Sequence, residues 1–198
     1  LYGNPDWRPE HKIHKWDRKP AIHPQNDYEK LMIYLFSEET DQNAKYKALV
    51  KAVSHRVEPP KTKMDIVKQV WEKILPHRIL DIGGLSIKTK LRSDENISYK
   101  SSEMSDGERV IFYLIGQCLA TPANGIIVID EPGLHLHKSI QYTLWNELEK
   151  QRQDCIFIYL THDVDFASSK EQSKHIWVKS FDGETWDWEL IEKSDGFP

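Results

Sequence analysis

Ile126-Ile127-Val128-Ile129-Asp130-Glu131 is the stretch on which the fold turns. Its β-branched run has no polar alternation, the mark of a strand buried on both faces of a parallel sheet. Ile156-Phe157-Ile158-Tyr159-Leu160 has the same character. Between the two, Lys138 to Gln151 reads as a helix with Ile140, Leu144, Trp145 and Leu148 on its inner face. Strand, helix, strand in this order is a βαβ unit, so the two strands are expected to be adjacent and parallel. The fold class is therefore α/β with a parallel sheet.

Downstream, Ile176 to Phe181 and Trp186 to Ile191 flank Asp182-Gly183 and read as a hairpin. Upstream, Val110 to Leu119 is long and apolar, with Leu114, Ile115, Cys118 and Leu119 on one face of a buried helix. Arg78 to Lys100 alternates apolar and polar residues (Ile79, Leu85, Ile87, Leu91) around Gly83-Gly84 and reads as β structure. The first third has another character. Leu1 to Pro24 is an irregular arm rich in Pro, His, Trp and charge. Asn26 caps a first helix through Tyr28, Leu31, Met32, Leu35 and Phe36. A second helix covers Asn43 to His55 and ends before Pro59-Pro60. A third starts near Thr62, carries Ile66, Val70, Ile74 and Leu75 on one face, and stops at Pro76. The expected organisation is an arm and helical segment over 1–77, then an α/β lobe over 78–198.

Composition narrows the class. A hydrophobic share of 39% and a charged share of 29% are enough for a packed core. A net charge of -4 gives no general attraction to nucleic acid or anionic lipid. No apolar run approaches the roughly 18 residues of a membrane span, and no signal peptide is visible. Cys118 and Cys155 are too few for a zinc framework and suit a reduced, cytoplasmic setting. Leu1 stands where a start methionine is expected, so the chain reads as cut from a longer protein.

Three sites could carry chemistry. Asp130-Glu131 ends a strand, and α/β sheets place ligands at the carboxyl ends of their strands. Asp130 there can hold the magnesium of a bound nucleotide, and Glu131 can polarise a water for attack on a γ-phosphate. The bland alternative is a buried strand that simply ends in two solvated acids. Thr161-His162-Asp163 follows the next strand, on the same sheet edge if the strands are parallel. A histidine donor there would stabilise charge on a transferred phosphoryl group; alone, His162 would more simply be a capping or core-edge residue. Met104-Ser105-Asp106-Gly107-Glu108-Arg109 opens a helix, where Ser105, Gly107 and fresh backbone N–H groups make an anion site. Ser105 with Glu108 three residues on also fits a capping box, and both can hold together. It is the ordered triple that outweighs the separate structural readings.

At these residues the chain resembles the ATP-binding-cassette-type ATPases. Met104 to Glu108 is similar to their Leu-Ser-Gly-Gly-Gln signature, departing at Asp106 and Glu108. Ile126 to Glu131 resembles Walker B, and Thr161-His162 the switch-histidine loop. Asp130-Glu131-Pro132-Gly133-Leu134-His135-Leu136-His137 is similar to the run found in the soluble AAA family branch related to overcoming-lysogenization-defect nucleases and SMC-like heads, where Glu often stands at the place of Gly133. The resemblance implies a P-loop NTPase-like sheet, the C-terminal lobe of an ABC-type head with an N-terminal helical segment. It implies ATP and Mg2+ as ligands. Asp130 would hold the metal, Glu131 activate water and His162 contact the γ-phosphate. Ser105, Gly107 and Glu108 would serve the nucleotide of the opposite subunit in a homodimer or head-to-tail pair. Pro132 to His137 would cross that interface. DNA and an effector nuclease are the partners it suggests, with no membrane.

No G-x-x-x-x-G-K-[ST] occurs in the 198 residues. The resemblance places that loop N-terminal to everything seen here, or on another chain. The leading expectation is an ATP-driven motor serving phage defence or DNA repair. A non-hydrolysing nucleotide sensor is the second, and Glu131 favours hydrolysis over it. A nuclease metal site on Asp130, His135 and His137 is a third, against which Leu134 and Leu136 suggest a packing loop. A transporter subunit lacks support from the tract after Glu131.

Overall fold

The computed structural model describes residues 24–83, 86–133 and 136–191. The arm before Pro24, the positions of Gly84, Leu85, Leu134 and His135, and residues 192–198 lie outside the described residues. The chain divides into two compact units, Leu1–Met64 and Asp65–Pro198.

In the first unit, α1 runs over Pro24–Ala52. It replaces the two expected helices with one. Nothing between Glu39 and Asn43 breaks a helix: the segment has no Gly or Pro, and Asn43 donates to Glu39 one turn back. The helix already includes Asn26, which is therefore not its cap. Leu31 and Leu35 are buried, and the Tyr46 hydroxyl donates to the Val57 carbonyl at 2.9 Å, tying down the following segment.

α2 (Lys63–Ile74) lies almost wholly in the second unit. The division falls two residues into this helix, and within the second unit the Trp71 indole packs edge-on against Phe112, 6.4 Å between centroids. Then come β1 (Arg78–Gly83), β2 (Ser86–Leu91) and β3 (Asp94–Lys100), an antiparallel sheet in that order. A single 3-10 turn, Ser101–Glu103, leads into α3 (Asp106–Ala120). β4 (Ile126–Asp130), α4 (Lys138–Gln151) and β5 (Ile156–Leu160) form the βαβ unit, followed by α5 (Val164–Ser169). β6 (His175–Phe181) and β7 (Trp186–Ile191) make the hairpin, with Gly183 at φ +103° in its turn, a conformation glycine adopts without strain.

β4 and β5 are parallel and in step, from Ile126 beside Ile156 to Asp130 beside Leu160. Both strands therefore stop at the same level. Ile127 and Ile129 are buried, in a core with Leu144, Trp145 and Leu148 of α4 and Ile111, Phe112 and Ile115 of α3. The expected burial of β4 on both faces does not hold within the described residues. Ile126 is 61% exposed, Val128 56% and Ile156 63%. A single crossover helix covers only one face of a sheet, and no second layer is described over the other.

Arg152, at the end of α4, closes the opposite end of this unit. Its guanidinium donates to the Thr121 carbonyl at 2.9 Å and to that of Cys118, and pairs with Asp154 at 2.9 Å. Cys118 is buried beneath it, and burial pushes its thiol up to about 12.

Candidate functional site

Glu131 is the first residue beyond β4. Its N–H donates to the Leu160 carbonyl at 2.8 Å, so the β4–β5 ladder runs one bond past the strand end. The chain then turns sharply, and Glu131 sits at φ +50°. A left-handed backbone is uncommon for a residue with a long side chain, and it costs on the order of 1 kcal/mol. Strain of this kind persists where the surroundings over-determine it, and it concentrates at functional sites.

His162 follows β5 by two residues, level with Glu131. Its Nδ1–H donates to Glu131 Oε1 at 2.7 Å. The hydrogen bond and charge of Glu131 raise the His162 pKa above its ordinary 6.5. The imidazole is 88% exposed, so it is neither a core residue nor buried at the core edge. It is not the helix cap either. That task falls to Asp163, which accepts from the Phe166 N–H at 3.2 Å, with its own N–H on Thr161 Oγ1 at 3.0 Å. Asp130, Glu131 and His162 thus share one sheet edge, with Asp130 exposed at the end of β4. Lys138 approaches the same edge, 3.8 Å from Asp163 and 2.9 Å from Asp165.

The loop after Glu131 is held from behind. The Trp145 indole donates to the Pro132 carbonyl at 2.9 Å. Gly133 has Gln141 against it: a Cβ there would stand 2.9 Å from Gln141 Nε2. The glycine admits buried Gln141 close to the loop. His137 caps α4, its Nδ1 facing Ser139 Oγ at 2.9 Å. Imidazole engaged as a cap is a different use from the metal ligation considered for His137; His135 lies outside the described residues. Among the described residues no group of three or more His, Cys, Asp or Glu is placed to hold a metal.

Ser105 lies at the start of α3. It is the N-cap, and the capping box with Glu108 is complete. Both Glu108 oxygens are engaged: Oε2 accepts from the Ser105 N–H at 2.9 Å and hydroxyl at 3.0 Å, and Oε1 from the Tyr99 hydroxyl at 2.6 Å and Arg78 Nε at 3.1 Å. Burial pushes the Glu108 carboxyl up, but these hydrogen bonds outweigh it and hold it below the ordinary range. Asp106 is paired with Arg109 at 2.6 Å. At Gly107 a Cβ would meet nothing within 4 Å. Nothing described in the chain therefore demands glycine there, and the turn is open to an approaching group.

Sequence alone singles out Ser105, Gly107, Glu108, Asp130, Glu131 and His162 as candidates. It missed Arg78 and Tyr99, which lie 30 and 9 residues from Glu108. Only the folding of β1 and β3 brings them to α3, and no local spacing signals that.

Residues 8–168 match the family described as “AAA domain, putative AbiEii toxin, Type IV TA system”. The chain is 33% identical over 95 residues to “Retron Ec83 probable ATPase” of Escherichia coli, covering 42% of this chain and 17% of that protein. It therefore spans about a sixth of that relative's length. Its fold is similar to the structure titled “Structural biochemistry of ATP-driven dimerization and DNA stimulated activation of SMC ATPases”, at 20% identity and TM-score 0.51, covering 67% of this chain and 84% of that one. It is also similar to “Crystal structure of the SmcHead bound to the C-winged helix domain of ScpA”, at 22% identity and TM-score 0.50, covering 67% and 43%.

Proposed function

The chain belongs to the family described as “AAA domain, putative AbiEii toxin, Type IV TA system”, and from that premise we propose that it is the signature, Walker B and switch-histidine lobe of an ATP-hydrolysing ABC-type motor. Its SMC-head fold supports the P-loop NTPase architecture. The observation that carries the reading is the Glu131–His162 pair, set level by two parallel strands with Glu131 in a strained backbone.

Asp130 fits a magnesium ion by chemistry: an exposed carboxylate at a strand end, an oxygen donor of the kind this ion takes beside nucleotide phosphates. Magnesium when bound would neutralise phosphate charge. Glu131 would orient a water in line with the γ-phosphate and accept its proton. His162 now spends an N–H on Glu131; turned toward the nucleotide, the same N–H would stabilise charge on the transferred group and release Glu131 for the water. Ser105 and the open turn at Gly107 would receive the γ-phosphate bound by an opposing subunit, and the Pro132 to His137 loop would cross between the two. ATP-driven dimerisation would then control a DNA-directed process such as phage defence or repair, with an effector nuclease as a candidate partner.

The test is ATP turnover by the full-length protein. Glu131→Gln should lower turnover by on the order of a hundredfold or more while ATP still binds. Unchanged turnover would remove Glu131 from the chemistry. A wild-type protein that binds ATP, dimerises and never hydrolyses it would favour the second reading, a nucleotide-gated scaffold.

A further inference from the structure

The two acidic departures in the Ser105 turn each come with a cation of their own. Asp106 has Arg109, and Glu108 has Arg78. The second pairing is the more telling. Glu108's side chain is 11% exposed, and its oxygens take the Tyr99 hydroxyl, Arg78 Nε, the Ser105 N–H and the Ser105 hydroxyl. A carboxylate offers about four lone-pair sites and no proton to donate. Glu108 is therefore saturated, and as an anion it has nothing to offer a phosphate.

Resting on the proposed role of Ser105, we infer that Glu108 does not meet the nucleotide, and that Arg78 and Tyr99 are positioning residues that set Ser105 through it. Glu108 holds the Ser105 backbone by its N–H, which fixes where the side chain starts. The Glu108 N–H faces Ser105 Oγ at 3.3 Å and fixes the oxygen. Only the hydroxyl hydrogen is left to move. In the resting turn it points at Glu108 Oε2. An arriving phosphate offers another acceptor, and one rotation about the C–O bond transfers the hydrogen bond without shifting the backbone. Arg78 makes this workable. Without its charge, a half-hidden carboxylate would face the incoming triphosphate unbalanced, and it would hold the serine proton more tightly.

The experiment uses the full-length protein in a Glu131→Gln background that retains ATP. The ATP-dependent dimer constant is measured by sedimentation, nucleotide affinity of the dilute monomer by a fluorescent ATP analogue, and folding by thermal melting. Arg78→Met should weaken the dimer on the order of tenfold, the scale of a hydrogen bond to a charged group, with monomer nucleotide affinity unchanged. Adding Glu108→Gln, which removes the unbalanced charge, should recover most of that loss. Should Arg78→Met fail to fold, Tyr99→Phe removes one bond to the same carboxylate and should weaken the dimer by about threefold. The inference is overturned if Ser105→Arg abolishes dimers while Arg78→Met and Tyr99→Phe leave them intact, or if Glu108→Gln adds to the Arg78→Met loss. If Ser105→Arg itself leaves the dimer intact, the role of Ser105 has failed first, and that result is distinct from the other two.

Discussion

Trp145 and Pro132 are joined by a buried hydrogen bond of 2.9 Å, indole N–H to backbone carbonyl, and Pro132 directly follows Glu131. The ring also meets Tyr159 of β5 edge-on, 5.6 Å between centroids. One side chain of α4 thus fixes the turn after β4 and braces the neighbouring strand. The strained backbone of Glu131 needs such an external hold.

Trp145→Phe keeps most of the packing and leaves the Pro132 carbonyl without its donor. The expected loss is about 1–3 kcal/mol of stability, read from denaturant melts. In the full-length protein, turnover should fall by more than that loss of fold accounts for. Equal turnover at temperatures well below the melt would mean that the loop holds its position without the indole.

At position 131 the usual order of small residues should invert. At an ordinary exposed position Ala is at least as well tolerated as Gly. At φ +50° an Ala keeps the steric penalty of its Cβ, and Gly does not. Glu131→Gly should therefore be more stable than Glu131→Ala by about 1 kcal/mol, though neither should turn over ATP. Equal melting temperatures would mean that the backbone relaxes out of the left-handed region.

The β4 and β5 strands, their parallel pairing and the Ser105 capping box were all legible, the pairing because a single helix joins two strands of like composition. Ile126 to Asp130 declares itself by composition, and Ser105 and Glu108 by their spacing of three. The single long α1 was misread as two helices because charged, weakly amphipathic residues around Asp41 to Asn43 hide a continuous helix from a search for periodic apolar faces. The bare outer face of Ile126, Val128 and Ile156 was not legible either, since composition reports what a strand can bury and not what covers it. The left-handed Glu131 and the reach of Arg78 and Tyr99 to Glu108 depend on tertiary placement, which no local pattern encodes.

His162 should titrate above its ordinary 6.5, because Glu131 beside it favours the protonated ring. The sign follows from the raised value. The pairing contributes fully below the unfolded pKa of about 6.5 and is lost as pH rises through the higher folded pKa. Both groups are exposed, so the effect on global stability is small. Imidazole resonances followed against pH give the value directly, and Glu131→Gln should bring it back toward the ordinary range. An unchanged titration in that variant would mean that the pair does not persist in solution.

The 198-residue chain should bind Mg-ATP without micromolar affinity and release no phosphate above background. Most nucleotide affinity in P-loop enzymes comes from a cradle of backbone N–H groups and a lysine on the β- and γ-phosphates. The sequence contains no such loop. What it contributes instead is close to neutral or repulsive toward a triphosphate. Asp130 and Glu131 are anionic without a metal, Glu131 is partly satisfied by His162, and the Ser105 turn carries Asp106 and Glu108, each already matched to an arginine. Balanced charges of this kind give orientation once another surface delivers the phosphate, and little affinity before it does. Calorimetry of the chain with Mg-ATP, alone and with Glu131→Gln, is the direct measurement. Micromolar binding, or phosphate release that Glu131→Gln abolishes, would mean that these residues assemble a complete nucleotide site by themselves, and the division of labour between opposing subunits would have to be abandoned.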